Sequence, residues 1–367
     1  MLEELKQAGE IVSFEPDHEV TGADYVWDGQ VVNQTAPPNW GLVRISERSK
    51  KENSNQYPYP ATAGSSVIVY VLDTGVNGDH EQLSGRVTMG PNFSPTGQQV
   101  VTDVSSQDDN GHGTFIAGVV AGRDVGVAKK VSITAVKILD SKKKGRISNV
   151  LMGLNWVYAQ HVDRGPNAKS IINVSVDADK SDTLNQALAD CAAAGIIVVA
   201  AAGNSDDLKN PTDACNRSPG GSTTSIVVGS FDMADRVSRF SNRGSCVSLY
   251  APGEQVRSLS YTDTSGTTID QGTSFACPHV TGVVALLLAE WKGPFTAQEI
   301  KDWMMKNGTK DILKDVKAGN VLDGNNIMLF SGGLVGRTDT VADISAAASN
   351  FKLSQWVFTL ALLYAVA

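Results

Sequence analysis

The sequence predicts an α/β fold of three layers: a mostly parallel central sheet with helices on both faces. Two observations carry this. Short runs of apolar, largely β-branched residues alternate with segments of helical periodicity between residues 66 and 291. These runs are apolar throughout rather than at every second residue, the pattern of strands covered on both faces. At 367 residues the chain has room for one large α/β domain with short flanking segments.

Residues 1–32 read as a separate module. LEELKQAG is the end of a helix stopped by Gly9, and EIVSFEPD is a short strand ended by Pro16. The opening residues are acidic and lack the apolar stretch of a secretory leader. A Pro-rich and polar connection follows, through TAPPNW and SERSKKENSNQYPYPATAG. The alternation then begins. SVIVYVLDTG (66–75) is a strand ending in Gly, and GHGTFIAGVVAG (111–122) a helix of small and branched residues. VSITAVKIL (131–139) is a strand, ISNVLMGLNWVYAQ (147–160) an amphipathic helix, and IINVSV (171–176) a strand. TLNQALADCAAAG (183–195) is a helix, IIVVAAAGN (196–204) and SIVVGSF (225–231) are strands, and GTSFACPHVTGVVALLLAEW (272–291) is a buried helix after a Gly turn. Ligands of such sheets gather at the carboxyl ends of the strands, where Asp73 and Asn204 fall.

The net charge is −8 with no long block of one sign, which argues against nucleic acid as a partner. Four cysteines allow one or two disulfides, not a disulfide-built scaffold. Asn-x-Ser/Thr sequons stand at Asn33, Asn92, Asn173, Asn216 and Asn307, and Asn173 lies in a run that reads as a buried strand, where no glycan is expected.

Three short motifs carry chemistry. VLDTGV holds Asp73, DDNGHGTFIAG holds His112 and QGTSFACPHVTG holds Ser274. A serine hydroxyl needs a base within reach to become a nucleophile, and that base needs a carboxylate to fix its tautomer and stabilise its charged form. Asp73 is at a strand end, and His112 and Ser274 are at helix starts, so all three are on rigid elements. Asn204, in AAGNS after a buried strand, supplies an amide for an oxyanion, and the Ser274 N–H at a helix start is the natural second donor. Singly, each has an ordinary reading: a turn Asp, a structural His, a Ser at a helix cap. In this order and together, chance explains them poorly.

These motifs resemble the subtilisin-like serine proteases, and among them the fungal proteinase K and cerevisin type. The resemblance covers roughly Trp40 to Gly333, including APPNWGLVRIS and APGEQV. It implies a subtilisin-like fold and endopeptidase action on protein or peptide substrates, with Asp73, His112 and Ser274 as triad and Asn204 as oxyanion donor. It implies that residues 1–32 are the end of an inhibitory prodomain cut near Val32–Asn33, and residues 33–333 the peptidase domain. On this reading the enzyme is secreted or at the cell surface, a monomer, and the sequence lacks its leader and the first half of its prodomain. Cys215 and Cys246 match a pair that bridges in related enzymes, while Cys191 and Cys277 read as buried free thiols.

Four positions depart from the family pattern. Phe115 stands where His usually follows GHGT. Ser175-Val176-Asp177-Ala178 replaces Ser-Leu-Gly-Gly beside the substrate, implying a narrowed or cation-preferring pocket unless Asp177 turns to solvent. The opposite substrate edge is SKKKGR, so Lys143, Lys144 and Gly145 join the candidate binding residues; Lys142, Lys143 and Lys144 form either a solvated loop or a surface that attracts acidic substrates. Ser248 occupies the position of the Asp that holds the family's strong calcium ion, and a hydroxyl is a poor substitute for that ligand, so no metal is assigned there, while calcium at a different site stays open.

Residues 334–367 form a small, polar tail ending in WVFTLALLYAVA, too short for a comfortable membrane span. Small residues Ser345-Ala346-Ala347, a spacer and this apolar end match a glycosylphosphatidylinositol attachment signal; the alternative is a tail whose end packs on the domain or on a membrane. Two functions from different classes remain: an endopeptidase, and a self-processing binding protein with little activity on other chains. A lipase or esterase is disfavoured, because the Gly-x-Ser-x-Gly elbow is absent around Ser274 and the order Asp–His–Ser is wrong for that fold.

Overall fold

The computed structural model describes residues 29–94, 106–208, 211–315 and 325–335. Strand β1 (Val31–Thr35) pairs antiparallel with β2 (Gln56–Pro60), with α1 (Trp40–Ile45) between them in sequence. Next come β3 (Ile68–Asp73), β4 (Val87–Asn92), α2 (His112–Ala121), β5 (Ser132–Lys137), α3 (Ile147–Asp163) and β6 (Ser170–Val174). The short β7 (Ala178–Asp179), α4 (Asp182–Ala193), β8 (Ile197–Ala201) and the short β9 (Arg217–Ser218) follow. The described chain closes with β10 (Ile226–Phe231), β11 (Leu249–Pro252), β12 (Val256–Leu259), β13 (Thr267–Asp270), α5 (Thr273–Glu290), α6 (Ala297–Asn307), β14 (Thr309–Lys310) and β15 (Ile327–Met328).

Nine strands form the central sheet in the order β14-β15-β11-β10-β8-β6-β3-β5-β4. All neighbours from β15 to β4 run parallel, and β14 alone is antiparallel to its partner. The strand side chains alternate between two cores, as a period of two demands. Val69 and Val71 of β3 face α2 and α5, where they meet Ile116, Val120, Val280 and Val284. Tyr70 and Leu72 face α3 and α4, among Val150, Leu154, Leu184 and Leu188. Both faces are therefore buried, which is why the strand sequences lack polar alternation. Helix α5 is long and apolar enough to cross a membrane, but it is buried against the sheet as a core helix. The three-layer architecture agrees with the sequence expectation.

Cys215 and Cys246 form the expected disulfide, their Cα atoms 5.4 Å apart, and Cys191 and Cys277 are free and buried. The boundary expected at Val32–Asn33 falls inside β1, where Val31 and Val32 are both exposed. Residues 1–28 of the expected prodomain segment and residues 336–367, with the expected anchor signal, lie outside the described residues. Of the sequons, Asn173 is fully buried in β6, and Asn307 is buried too, its amide donating to the Trp303 carbonyl at 2.9 Å. Asn33 and Asn216 are exposed.

Candidate active site

The carboxyl end of β3, an interior strand, brings Asp73 to the rim of the sheet where its parallel strands end, and the α2 start meets it there. Asp73 is fully buried, and the His112 Nδ1 lies 2.8 Å from its Oδ1 and 2.9 Å from its Oδ2. The Thr74 N–H donates to the same Oδ1 at 2.7 Å. The close approach requires Gly113, since a Cβ there would run into the Gly75 carbonyl. With Nδ1 facing a carboxylate, it carries the proton and leaves Nε2 as the base.

Asp108 ties the two elements together. Its Oδ1 accepts from the Thr74 hydroxyl at 2.8 Å, the Gly111 N–H at 2.8 Å and the Asn110 N–H at 3.0 Å. Its Oδ2 accepts from the Thr114 N–H at 2.9 Å and the Thr114 hydroxyl at 2.6 Å. Sequence reasoning missed this residue, although an Asp a few positions before a helix start is itself a capping signal.

Ser274 stands in the first turn of α5, after Gly272. Its N–H is among those at a helix start that have no intrahelical acceptor. Its hydroxyl donates to the Ser175 carbonyl at 3.3 Å, and no hydrogen bond joins it to His112 in this structure. Such contacts are commonly long in free active sites. The His112 ring lies 5.2 Å from that of Phe275, the residue after Ser274, and Phe275 lies 4.4 Å from Phe115, measured between centroids. Phe115 thus backs the serine's neighbour, and stands behind His112 only through the Phe275 ring. Asn204 is exposed; its Oδ1 accepts from the Thr273 N–H at 3.0 Å and the Thr273 hydroxyl at 3.2 Å, which turns Nδ2 outward. The Cys277 thiol is buried and bonds to Asn173 Oδ1; burial pushes its pKa up to about 12, so it stays a thiol and is no nucleophile.

The sequence model of the subtilase family matches residues 64–325, and the match takes in Asp73, His112, Asn204 and Ser274. The chain belongs to the subtilase family. This subtilase is 37% identical, over 80% of its length, to a subtilase-type proteinase of the sexual differentiation process in Schizosaccharomyces pombe, covering 60% of that protein. It is 35% identical, over 91% of its length, to a subtilisin-like protease of Coccidioides posadasii, covering 66% of it. The chain thus spans less than two thirds of these relatives. The crystal structure of a cold-adapted subtilisin-like serine proteinase superposes with a TM-score of 0.70 at 37% identity, covering 80% of this chain and 97% of that one.

In this subtilase a cleft of about 490 Å³ opens beside His112, lined by Asn110, Phe115, Lys143, Tyr261 and Asp270 among others. Lys143 reaches it; Lys144 and Gly145 are exposed on the same turn. Ser175 and Val176 continue from β6 past Ser274, and Ala178 enters β7. Asp177 does not turn freely to solvent. Both its oxygens meet Arg217, at 3.0 Å from Nε and 3.0 Å from Nη2. Nothing in the sequence pairs these two residues; the β7–β9 pairing does, with Ala178 opposite Ser218 and Asp179 opposite Arg217. The position where the family resemblance implies a calcium ligand does not fit the ion: the Ser248 hydroxyl is buried and accepts the Val227 N–H at 3.1 Å.

Proposed function

We propose that this subtilase is a serine endopeptidase with Asp73, His112 and Ser274 as its triad and Asn204 as an oxyanion donor. The observation that carries the reading is the buried Asp73 carboxylate fixing the His112 tautomer, with the His112 ring packed on Phe275, the residue after a serine at a helix start. On substrate binding the Ser274 hydroxyl leaves the Ser175 carbonyl for His112 Nε2. It attacks the scissile carbonyl carbon as its proton passes to His112. The C–N bond then breaks, and His112 returns that proton to the leaving amine. Water, deprotonated by His112, attacks the acyl carbon; the ester C–O bond breaks and His112 returns the proton to Ser274 Oγ, which frees the acid and the serine. The oxygen of each tetrahedral intermediate lies between Asn204 Nδ2 and the Ser274 N–H.

Protein or peptide chains are the substrates. The disulfide supports maturation in an oxidising compartment, and hence export to the medium or the cell surface. Residues 1–32 act as the end of an inhibitory prodomain, and the exposure of Val31 and Val32 supports a cut at that boundary. The working unit is a monomer, held to a membrane by a lipid anchor that replaces the apolar end at Ser345-Ala346-Ala347. The test is labelling of the full chain by a fluorophosphonate serine probe. Labelling that disappears in Ser274→Ala and in His112→Ala supports the triad. Equal labelling of His112→Ala and the parent would remove it.

A further inference from the structure

Peptidase action as proposed above, on which this inference rests, fixes where the first acyl-side side chain of a substrate must lie. Its carbonyl carbon sits at Ser274 Oγ, beside the Ser175 carbonyl, with the oxygen toward Asn204. The preceding side chain then enters between two backbones, Ser175–Ala178 leaving β6 and Ala202–Asn204 leaving β8, strands that are direct neighbours.

That space holds the Asp177 side chain. A Cβ built on Gly203 would come within 2.8 Å of Asp177 Oδ1, so the carboxylate lies directly against the Gly203 backbone. Arg217 holds it there. Its Nε and Nη2 take the two oxygens of Asp177, and its Nη1 donates to Asp179 at 2.6 Å. Asp177 and Arg217 are both about three-quarters buried, while Asp179 faces solvent. A bidentate pair of this kind is the strongly directional form of ion pair. The Asp177–Arg217 pair is itself neutral, and the second carboxylate on Arg217, that of Asp179, points away into solvent. Both Asp177 oxygens are occupied, so no free carboxylate awaits a lysine or arginine. Each guanidinium nitrogen has a partner, so no open fork awaits an acidic side chain.

We propose that the Asp177–Arg217 pair forms a raised floor in the pocket before the scissile bond and restricts it to small uncharged side chains, such as those of alanine and serine. Of the readings that Asp177 raised in the sequence, a narrowed pocket, a cation-preferring pocket or a side chain turned to solvent, the geometry favours the first. A phenylalanine or leucine side chain has to displace the pair to enter.

The test is digestion of a proteome-derived peptide library by the full chain, its Ser274→Ala variant and an Asp177→Gly, Arg217→Ser double variant, with the residue before each cut read by mass spectrometry. Matched peptides differing only at that residue supply kcat/KM. The parent is expected to cut after alanine and serine, at least about tenfold better than after phenylalanine or leucine, a ratio within reach of pocket size alone. The double variant is expected to shift by a similar factor toward the large residues. A parent that cuts as well after phenylalanine, leucine, lysine or glutamate overturns the proposal, as does a folded double variant with an unchanged profile. If the double variant does not fold, the parent's own ratio decides. Absence of any cuts that depend on Ser274 removes peptidase action itself, which is a different failure.

Discussion

The Ser274 carbonyl oxygen accepts the Ser175 hydroxyl at 3.0 Å, because Pro278, four residues along α5, has no N–H to offer it. A proline inside a helix frees one carbonyl, and here the freed group belongs to the proposed nucleophile. Asn173 completes the chain, its Nδ2 donating to the Ser175 hydroxyl at 2.9 Å. Ser175→Ala leaves the buried Asn173 amide and the half-buried Ser274 carbonyl unsatisfied. We expect a loss of about 1–3 kcal/mol in urea unfolding. Turnover should fall severalfold with KM little changed, because the serine's backbone loses its anchor.

Asp108 holds five donors from the β3 end and the α2 start. It touches no reacting atom, so its effect is on where His112 stands relative to Asp73. Asp108→Ala is expected to lower kcat on the order of 10²-fold, with a smaller change in KM, since misplacement by about an ångström has effects of this size. Asp108→Asn keeps acceptor capacity at one oxygen and should recover part of the loss. Steady-state kinetics of the two variants, with their melting midpoints, separate positioning from simple unfolding.

Acid stability is set in part by His279, fully buried in α5. Its Nδ1 donates to the Phe275 carbonyl at 2.9 Å, and its Nε2 accepts from Asn39 at 3.0 Å. Burial lowers its pKa from 6.5 to about 4. The unfolded chain therefore takes up a proton near pH 6.5, while the folded imidazole does so only near 4. Between these values the unfolded state binds more protons, so stability is full above pH 6.5 and falls as pH drops toward 4. The group accounts for roughly 3 kcal/mol over that window. His161, also lowered by burial, contributes with the same sign. Urea midpoints measured from pH 7 to pH 4 should fall less steeply in His279→Gln than in the parent.

The disulfide closes a segment with a sequence separation of 31 residues. Restriction of the unfolded chain by a loop of that length is worth about 3–4 kcal/mol. A Cys215→Ser, Cys246→Ser variant should lose stability by that amount in a denaturant titration under non-reducing conditions. Addition of reductant should narrow the gap between parent and variant.

Most of the sheet was legible because its strands are buried on both faces. VIVYVLD, SITAVK and IIVVAA read as strands without any knowledge of their partners, and α2, α3, α4 and α5 fall within a few residues of the expected segments. The pairs β1–β2 and β12–β13 were not legible. Their residues are mixed in polarity and stabilised by partners rather than by pattern, and β13 is exposed along its length. The site divides in the same way. Asp73, His112, Asn204 and Ser274 sit in short motifs whose local geometry serves them. Arg217 sits in no motif. It matters because β9 lies against β7, and a contact across 40 residues of sequence leaves no local mark.

Endopeptidase action through Ser274 is tested most directly by turnover of a denatured protein substrate by the full chain, its Ser274→Ala variant and its Asn204→Ala variant. No turnover is expected for Ser274→Ala. For Asn204→Ala the expected kcat is lower on the order of 10²–10³-fold, the magnitude known for such a donor in subtilisin itself. Turnover that persists in Ser274→Ala would contradict the triad. A parent that cuts only its own N-terminal segment and no other chain would contradict endopeptidase action on protein substrates, since that is the behaviour of a self-processing binding protein.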